Sequence, residues 1–144
     1  MSMSPAVYAD ASFFIALFTA KDEFHARASA WQQHLARAGT HIVTTEAALW
    51  EWLNFSATPA ARVPAAVAYR QLHADASVEV IEFSDALCES AVNLYAQRKD
   101  KSWGVTDCLS FVVMRQKRLV DALTADHHFE QAGFAALLLH EPPP

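Results

Sequence analysis

Near the start of the sequence, an apolar run leads directly into an acidic residue: Ala6-Val7-Tyr8-Ala9-Asp10-Ala11-Ser12. The first four residues of this stretch are apolar and have the length of one short buried strand. The apolar run over residues 13–20 that follows has the length of a short helix, and Ser12 is suited to cap it. Asp10 is therefore predicted to lie at the carboxyl end of a strand, directly in front of a helix.

The same alternation of short apolar strands and helices continues through the chain. Further strands are predicted over residues 41–43, 78–81, 119–123 and 134–139. Helices are predicted over residues 24–38, 46–55, 63 or 64 to 73, 85–97, 107–117 and 127–131, with Thr58 and Pro59 as a break and Thr106 as a cap. Strands that alternate with helices form parallel sheets covered on both faces. The pattern predicts a three-layer α/β/α sandwich around a parallel sheet of about five short strands.

Composition and length set the class of protein. A chain of 144 residues favours a single domain over residues 1–144, with Pro142 to Pro144 as a frayed tail. Apolar residues make up 53% of the chain and charged residues 19%, which excludes a disordered protein. The formal net charge of −5 disfavours RNA binding through basic side chains alone. It does not disfavour a nuclease whose carboxylates hold divalent cations, because bound ions reverse the local charge.

The cysteines and the first residues indicate the cellular compartment of the protein. Cys88 and Cys108 have neither a metal-ligand spacing nor a disulfide framework, so we expect reduced thiols in a cytoplasmic protein. The first residues do not resemble a signal peptide, and no apolar run is long enough to span a bilayer, so no membrane association is expected.

Acidic residues follow the predicted strands and open the predicted helices. Asp10 and Asp126 each come directly after a strand, and Asp107 is placed at the first or second position of a helix. Parallel strands bring such positions to one edge of the sheet. Converging carboxylates repel one another unless a cation pairs them, and Mg²⁺ or Mn²⁺ suits an oxygen-rich set. Since no histidine or cysteine cluster is evident, zinc is disfavoured, and both His127 and His128 are expected to be structural or surface residues.

The fourth acid is less well determined by the pattern. Glu46 and Glu51 lie on one predicted helix, five positions and roughly 140° apart, so both do not readily face one site. Any single acid at a helix start is more often a cap, so the argument depends on the joint placement.

The sequence resembles PIN-domain ribonucleases, especially VapC-like toxins of toxin–antitoxin pairs, over nearly its whole length. The motifs that carry the resemblance are Val7-Tyr8-Ala9-Asp10-Ala11-Ser12, Val43-Thr44-Thr45-Glu46-Ala47-Ala48-Leu49-Trp50-Glu51, Thr106-Asp107-Cys108-Leu109-Ser110-Phe111, Ala122-Leu123-Thr124-Ala125-Asp126-His127-His128-Phe129 and Gln131-Ala132-Gly133-Phe134. In the second motif the later glutamate is the functional acid, which favours Glu51 over Glu46.

The resemblance implies an endoribonuclease in which a metal-activated water attacks an RNA phosphodiester. The acids that would bind Mg²⁺ or Mn²⁺ are Asp10, Glu51, Asp107 and Asp126. Ser12 and Thr124 would support the site through hydroxyl hydrogen bonds. The resemblance also implies a cognate antitoxin that covers an apolar groove, which we expect around residues 13–24, and we expect a homodimer.

Other features leave alternatives open. The basic residues Arg98, Lys99 and Lys101 precede the third motif and are candidates for RNA phosphate contacts or for a solvated loop. A PIN-fold RNA-processing nuclease without an antitoxin, or a non-catalytic RNA- or protein-binding module, is an alternative function. A phosphoaspartyl hydrolase is disfavoured, because no second aspartate lies two residues after Asp10.

Overall fold

The computed structural model describes residues 5–144 and contains one five-stranded parallel sheet. The strands are β1 (Ala6–Ala9), β2 (His41–Thr45), β3 (Val78–Ile81), β4 (Asp121–Leu123) and β5 (Ala135–Ala136), in the order β3-β2-β1-β4-β5. The central strand is β1, where Tyr8 is in register with Val43 of β2 and Ala122 of β4. The predicted parallel sheet is confirmed, and the ends of β1 and β4 are neighbours.

Helices cover both faces of the sheet. They are α1 (Ala11–Phe18), α2 (His25–Ala38), α3 (Glu46–Phe55), α4 (Pro59–Ala74), α5 (Asp85–Gln97), α6 (Val105–Gln116) and α7 (His127–Gln131). Successive residues of a strand point to opposite faces. Val7 therefore packs with buried residues of α1 to α4, whereas Tyr8 packs with those of α5 to α7. These two hydrophobic clusters confirm the three-layer α/β/α sandwich.

Helix α4 begins earlier than the sequence predicts. Thr58 and Pro59 were expected to break the chain, but Thr58 is the N-cap and Pro59 is the first helical residue. Proline is well tolerated there because the first backbone N–H groups of a helix need no intrahelical acceptor. Pro64 lies inside the helix, so the predicted start at residue 63 or 64 was wrong.

Two predicted caps were also wrong. Ser12 was expected to cap α1, but Asp10 caps it, and the backbone N–H of Ser12 donates to Oδ1 of Asp10. Thr106 was expected to cap α6, but the N-cap is Gly104, and Asp107 is the third helical residue. In both cases the helix begins two residues before the predicted start. Asp10 therefore becomes the cap of α1, and Asp107 lies within the first turn of α6, near the free N–H groups.

The carboxyl-terminal strand is shorter than predicted. Only Ala135–Ala136 pairs with β4, and Leu137–Leu139 forms a 3₁₀ turn in which the Leu138 N–H donates to the carbonyl of Thr124. Strand β4 likewise begins at Asp121 rather than at residue 119. Within residues 5–144, the helices are all too short or too polar to cross a bilayer.

Candidate metal centre

The carboxylate of Asp10 is held by three hydrogen bonds at the end of β1. Its Oδ1 accepts from the backbone N–H of Ser12 at 2.7 Å and from the Ser12 hydroxyl at 2.6 Å. Its Oδ2 accepts from the Thr124 hydroxyl at 2.9 Å. The residues expected to support the site thus contact Asp10 directly, and both carboxylate oxygens have fixed positions.

The surroundings of Asp10 disfavour its charge. Burial raises the pKa of its carboxyl group to about 6, and the nearby charge of Asp126 adds to the increase. The hydrogen bonds from Ser12 and Thr124 lower the pKa but only partly offset the burial. A carboxylate in this environment gains from a nearby cation.

Thr124 connects the ends of the two neighbouring strands. Its hydroxyl donates to Asp10 and also accepts the backbone N–H of Asp126 at 3.0 Å. The Ser12 hydroxyl lies 3.3 Å from the same oxygen. Because Thr124 is fully buried, this network has little freedom to rearrange. The loop that carries Asp126 is therefore anchored to Asp10 through one side chain.

Asp107 and Asp126 meet at the starts of two helices. Oδ2 of Asp107 accepts the backbone N–H of Gly104 at 3.2 Å, and Oδ1 of Asp126 accepts that of His128 at 2.8 Å. Carboxylates at helix starts are stabilised by the helix dipole. Both side chains are partly buried, and with His128 they form a group whose potential ligand atoms lie within 4.8 Å of one another.

His128 is the member of this group that sequence reasoning missed. Its Nδ1 lies 3.1 Å from Oδ2 of Asp107 and 3.5 Å from Oδ1 of Asp126. His127, by contrast, is exposed and pairs with Glu130. The expectation that both histidines are surface or structural residues therefore describes His127, whereas His128 contacts the acids. Its position two residues after the cap of α7 places it near Asp126 in the sequence, but does not indicate the contact with Asp107.

The structure separates the two candidate glutamates. Partial burial raises the pKa of Glu51, and the charges of Asp107 and Asp126 raise it further, so Glu51 shares the electrostatic environment of the acids. Glu46 instead accepts a hydrogen bond of 2.9 Å from the Tyr69 hydroxyl and pairs with His73. Glu46 thus links α3 to α4, while Glu51 lies on the side of the acids.

The donor set fits a hard divalent cation. The charge of Asp126 raises the pKa of Asp10, and the charges of Asp107 and Asp126 raise that of Glu51. Within residues 5–144, the group of ligand atoms that lie within 4.8 Å of one another contains Asp107 and Asp126 but neither Asp10 nor Glu51. Within residues 5–144, none of the lysine or arginine ion pairs involves these four acids. Carboxylate oxygens that lack a cationic partner are the ligands that Mg²⁺ and Mn²⁺ prefer.

Comparison with known proteins identifies the family. The family model described as "PIN domain" matches residues 7–135. The chain belongs to the PIN domain family. A solved structure of Mycobacterium tuberculosis VapC20, described as a sarcin-ricin loop cleaving toxin, matches with a TM-score of 0.79 and 26% identity, over 94% of this chain and 99% of that one. The predicted resemblance to VapC-like PIN domains is confirmed, and no curated protein matches.

The basic residues of this PIN domain lie on the loop that leads into α6. Arg98 donates to both carboxylate oxygens of Asp100, at 3.0 and 3.1 Å, and its guanidinium lies 4.7 Å from the centre of the Trp103 ring. Lys99 is exposed and Lys101 is half-buried. Arg98 is therefore engaged within the loop, whereas Lys99 is the most accessible of the three predicted RNA contacts.

An apolar groove of about 530 Å³ lies between α1, α3 and α4. It is lined by Phe18, Thr19, Ala20, Lys21, Trp52, Phe55, Ser56, Thr58, Ala60, Ala61, Pro64 and Ala65. Of the residues 13–24 around which a groove was expected, residues 18–21 line this one, whereas Phe13 and Phe14 are buried in the core. Within the described residues, Nε1 of Trp52 is buried without a hydrogen-bond partner.

A second apolar surface lies beside Glu51. Trp50, Phe83, Val92 and Val105 are exposed and border a depression of about 490 Å³, which Glu51 also lines. We call these four residues the α3–α5 face. The Trp50 and Phe83 rings contact edge to face, with 5.8 Å between their centres.

Proposed function

We propose that this PIN domain is a Mg²⁺- or Mn²⁺-dependent endoribonuclease and the toxin of a toxin–antitoxin pair. The observation that carries the proposal is the fixed carboxylate of Asp10 beside an acid cluster that has no lysine or arginine partner in residues 5–144. Such a cluster is costly unless a cation occupies it. The family match supports nuclease chemistry, and the fold match to a toxin supports the biological role.

Four acidic side chains would bind the cation in this proposal. Asp10, Asp107 and Asp126 would hold it, and Glu51 would complete the negative charge from α3. Ser12 and Thr124 fix both oxygens of Asp10, so the site needs little reorganisation on binding. A divalent cation supplies activation of the attacking water and neutralisation of the phosphate charge.

The substrate in this proposal is RNA. VapC20 is described as cleaving the sarcin-ricin loop, so structured RNA is the first substrate to examine. Lys99 and Lys101 lie on the loop that precedes α6 and would contact phosphates of the RNA. The free thiols of Cys88 and Cys108 suit a cytoplasmic location.

Cleavage of RNA by the purified protein tests the proposal. We expect cleavage with Mg²⁺ or Mn²⁺, none with a chelator, and none from Asp10→Asn. Glu79→Gln is the matched control, because Glu79 is an acid on β3 that pairs with Lys117. Cleavage that persists in the chelator, or in Asp10→Asn, would contradict the proposal.

The groove between α1, α3 and α4 is the proposed antitoxin site. Its rim exposes Phe18 and Phe55, which are 49% and 56% accessible. An amphipathic antitoxin segment would cover these two exposed rings and remove them from water.

The α3–α5 face is the proposed homodimer contact. It gathers four exposed large apolar side chains without an intervening charge other than Glu51 at its edge. Patches of this kind mark protein interfaces, and a twofold interface pairs one patch with itself. Because Glu51 lines the same depression, a second copy would border the acid cluster.

A further inference from the structure

We infer that His128 contributes a ring nitrogen to the metal centre, which would make this PIN domain favour Mn²⁺, Co²⁺ and Ni²⁺ over Mg²⁺. The inference rests on the proposed function, because it requires a divalent cation between Asp107 and Asp126. It reverses the sequence-based expectation that the site contains oxygen ligands alone.

The distances around His128 match those between neighbouring ligands of one ion. Its Nδ1 lies 3.1 Å from Oδ2 of Asp107 and 3.5 Å from Oδ1 of Asp126. Adjacent ligands of an octahedral ion with bonds of about 2.1 Å are about 3.0 Å apart. The imidazole nitrogen is therefore spaced from both carboxylates as a third ligand would be.

A backbone hydrogen bond places His128 beside Asp126. The His128 N–H donates to Oδ1 of Asp126 at 2.8 Å, so both side chains leave the same turn at the start of α7. The His128 side chain is 31% exposed, compared with 75% for His127, whose ring pairs with Glu130 instead. Within residues 5–144, the polar contacts of the His128 ring are all to Asp107 and Asp126.

Nitrogen ligands change which ions a site prefers. Mg²⁺ favours oxygen ligands, whereas imidazole strengthens the binding of Co²⁺, Ni²⁺ and Zn²⁺, with Mn²⁺ between the two groups. A histidine that only orients Asp107 would instead affect all of these ions alike. The selectivity between ions thus separates a ligand from a positioning residue.

Calorimetric titration of the full chain with Mg²⁺, Mn²⁺ and Ni²⁺ tests the inference. We expect His128→Ala to weaken Ni²⁺ binding by about tenfold or more and Mg²⁺ binding by less than about threefold. The visible absorption of bound Co²⁺ should also change, which reports ligation without any catalytic assay. His127→Ala is the matched control and should keep the affinities and the Co²⁺ spectrum of the parent.

The possible results separate this inference from the proposed function. Equal losses for Mg²⁺ and Ni²⁺, or no loss for either, would overturn the role of His128 as a ligand and leave the acid site intact. A parent protein that binds none of the ions would overturn both proposals. His128→Asn keeps more of the side-chain volume and replaces the alanine variant if thermal unfolding shows that the alanine variant does not fold.

Discussion

The Thr124 hydroxyl donates a 2.9 Å hydrogen bond to Oδ2 of Asp10, across 114 residues of sequence. The same oxygen accepts the backbone N–H of Asp126 at 3.0 Å, so one buried hydroxyl aligns the ends of β1 and β4. An uncharged group thereby holds two carboxylates near each other without neutralising either of them. Their repulsion remains available to favour a bound cation.

Thr124→Val should lower the rate of RNA cleavage by about 10- to 100-fold at saturating metal, because it removes the hydroxyl that orients Asp10 while keeping the side-chain shape. Thr124→Ser keeps the hydroxyl and should restore most of the rate. Single-turnover cleavage measures both variants. A valine variant as active as the parent would show that this hydrogen bond does not position the site.

The charge of Asp10 should make the metal-free protein less stable as the pH rises. The pKa of Asp10 is about 6 in the folded protein and 3.8 for an ordinary aspartate. Between these values the folded state holds a proton that the unfolded state has released, so stability falls with increasing pH in that window. Asp10→Asn lacks this titration. Its stability relative to the parent should therefore rise by about 2 kcal/mol from pH 4 to pH 7.

Urea unfolding in a chelator measures this difference at each pH. The chelator matters because a bound cation would favour the charged carboxylate and mask the effect. A stability difference that is the same at pH 4 and pH 7 would mean that Asp10 keeps an ordinary pKa in the folded protein.

The two glutamates of α3 should respond in opposite ways to neutralisation. Glu51→Gln should lower metal affinity and cleavage by about tenfold, and should not destabilise the metal-free fold, because repulsion from Asp107 and Asp126 is relieved. Glu46→Gln should keep cleavage but lose about 1 kcal/mol of stability, because it weakens the contacts to Tyr69 and His73. Cleavage rates and urea unfolding of the two variants provide the comparison. Loss of cleavage in Glu46→Gln and loss of stability in Glu51→Gln would show that Glu46 is the site residue.

Much of this architecture follows from local sequence. The apolar run before Asp10 and the helix after it place that acid at a strand end, and parallel strands bring Asp126 to the same edge. The start of α4 was predicted wrongly from Pro59 and Pro64, because proline is found both at helix starts and at helix breaks. The length of β5 was predicted wrongly, since β5 ends at Ala136, where its pairing with the short β4 ends.

The contact of His128 with Asp107 could not be predicted from the sequence, for a different reason. Its contact with Asp107 spans 21 residues and depends on how α7 packs against α6. Phe129, the next residue, is buried against Phe111 of α6, with ring centres 4.9 Å apart, and that packing sets the position of the turn. Side-chain packing of this kind is a tertiary property that neither periodicity nor capping patterns contain.

Phe55→Glu should abolish binding of the cognate antitoxin while leaving RNA cleavage unchanged. The substitution places a charge in the apolar groove, where an amphipathic partner would have to desolvate it. Val120→Glu is the control, because Val120 is similarly exposed but does not line the groove. Co-purification with the antitoxin and cleavage of RNA are the two readouts. Antitoxin binding by Phe55→Glu equal to that of the parent would exclude this groove as the site.

Val92→Glu should convert a homodimer into a monomer. Val92 is 49% exposed in the α3–α5 face, and a twofold contact would bring the two introduced charges together. Light scattering during gel filtration measures the mass, with Val63→Glu on α4 as an exposed apolar control. A parent protein that is already monomeric would contradict the assignment of this face.

The position of a bound ion shows which side chains form the metal centre. A crystal structure of the protein grown with Mn²⁺, with anomalous diffraction recorded, locates the metal independently of any assay. We predict an anomalous peak within bonding distance of Asp107 and Asp126 and on the side of the Asp10 carboxylate. The assignment would be wrong if the protein cleaves RNA with Mn²⁺ in solution while the crystal structure shows Mn²⁺ bound elsewhere. In that case Asp10, Asp107 and Asp126 would all be free of metal.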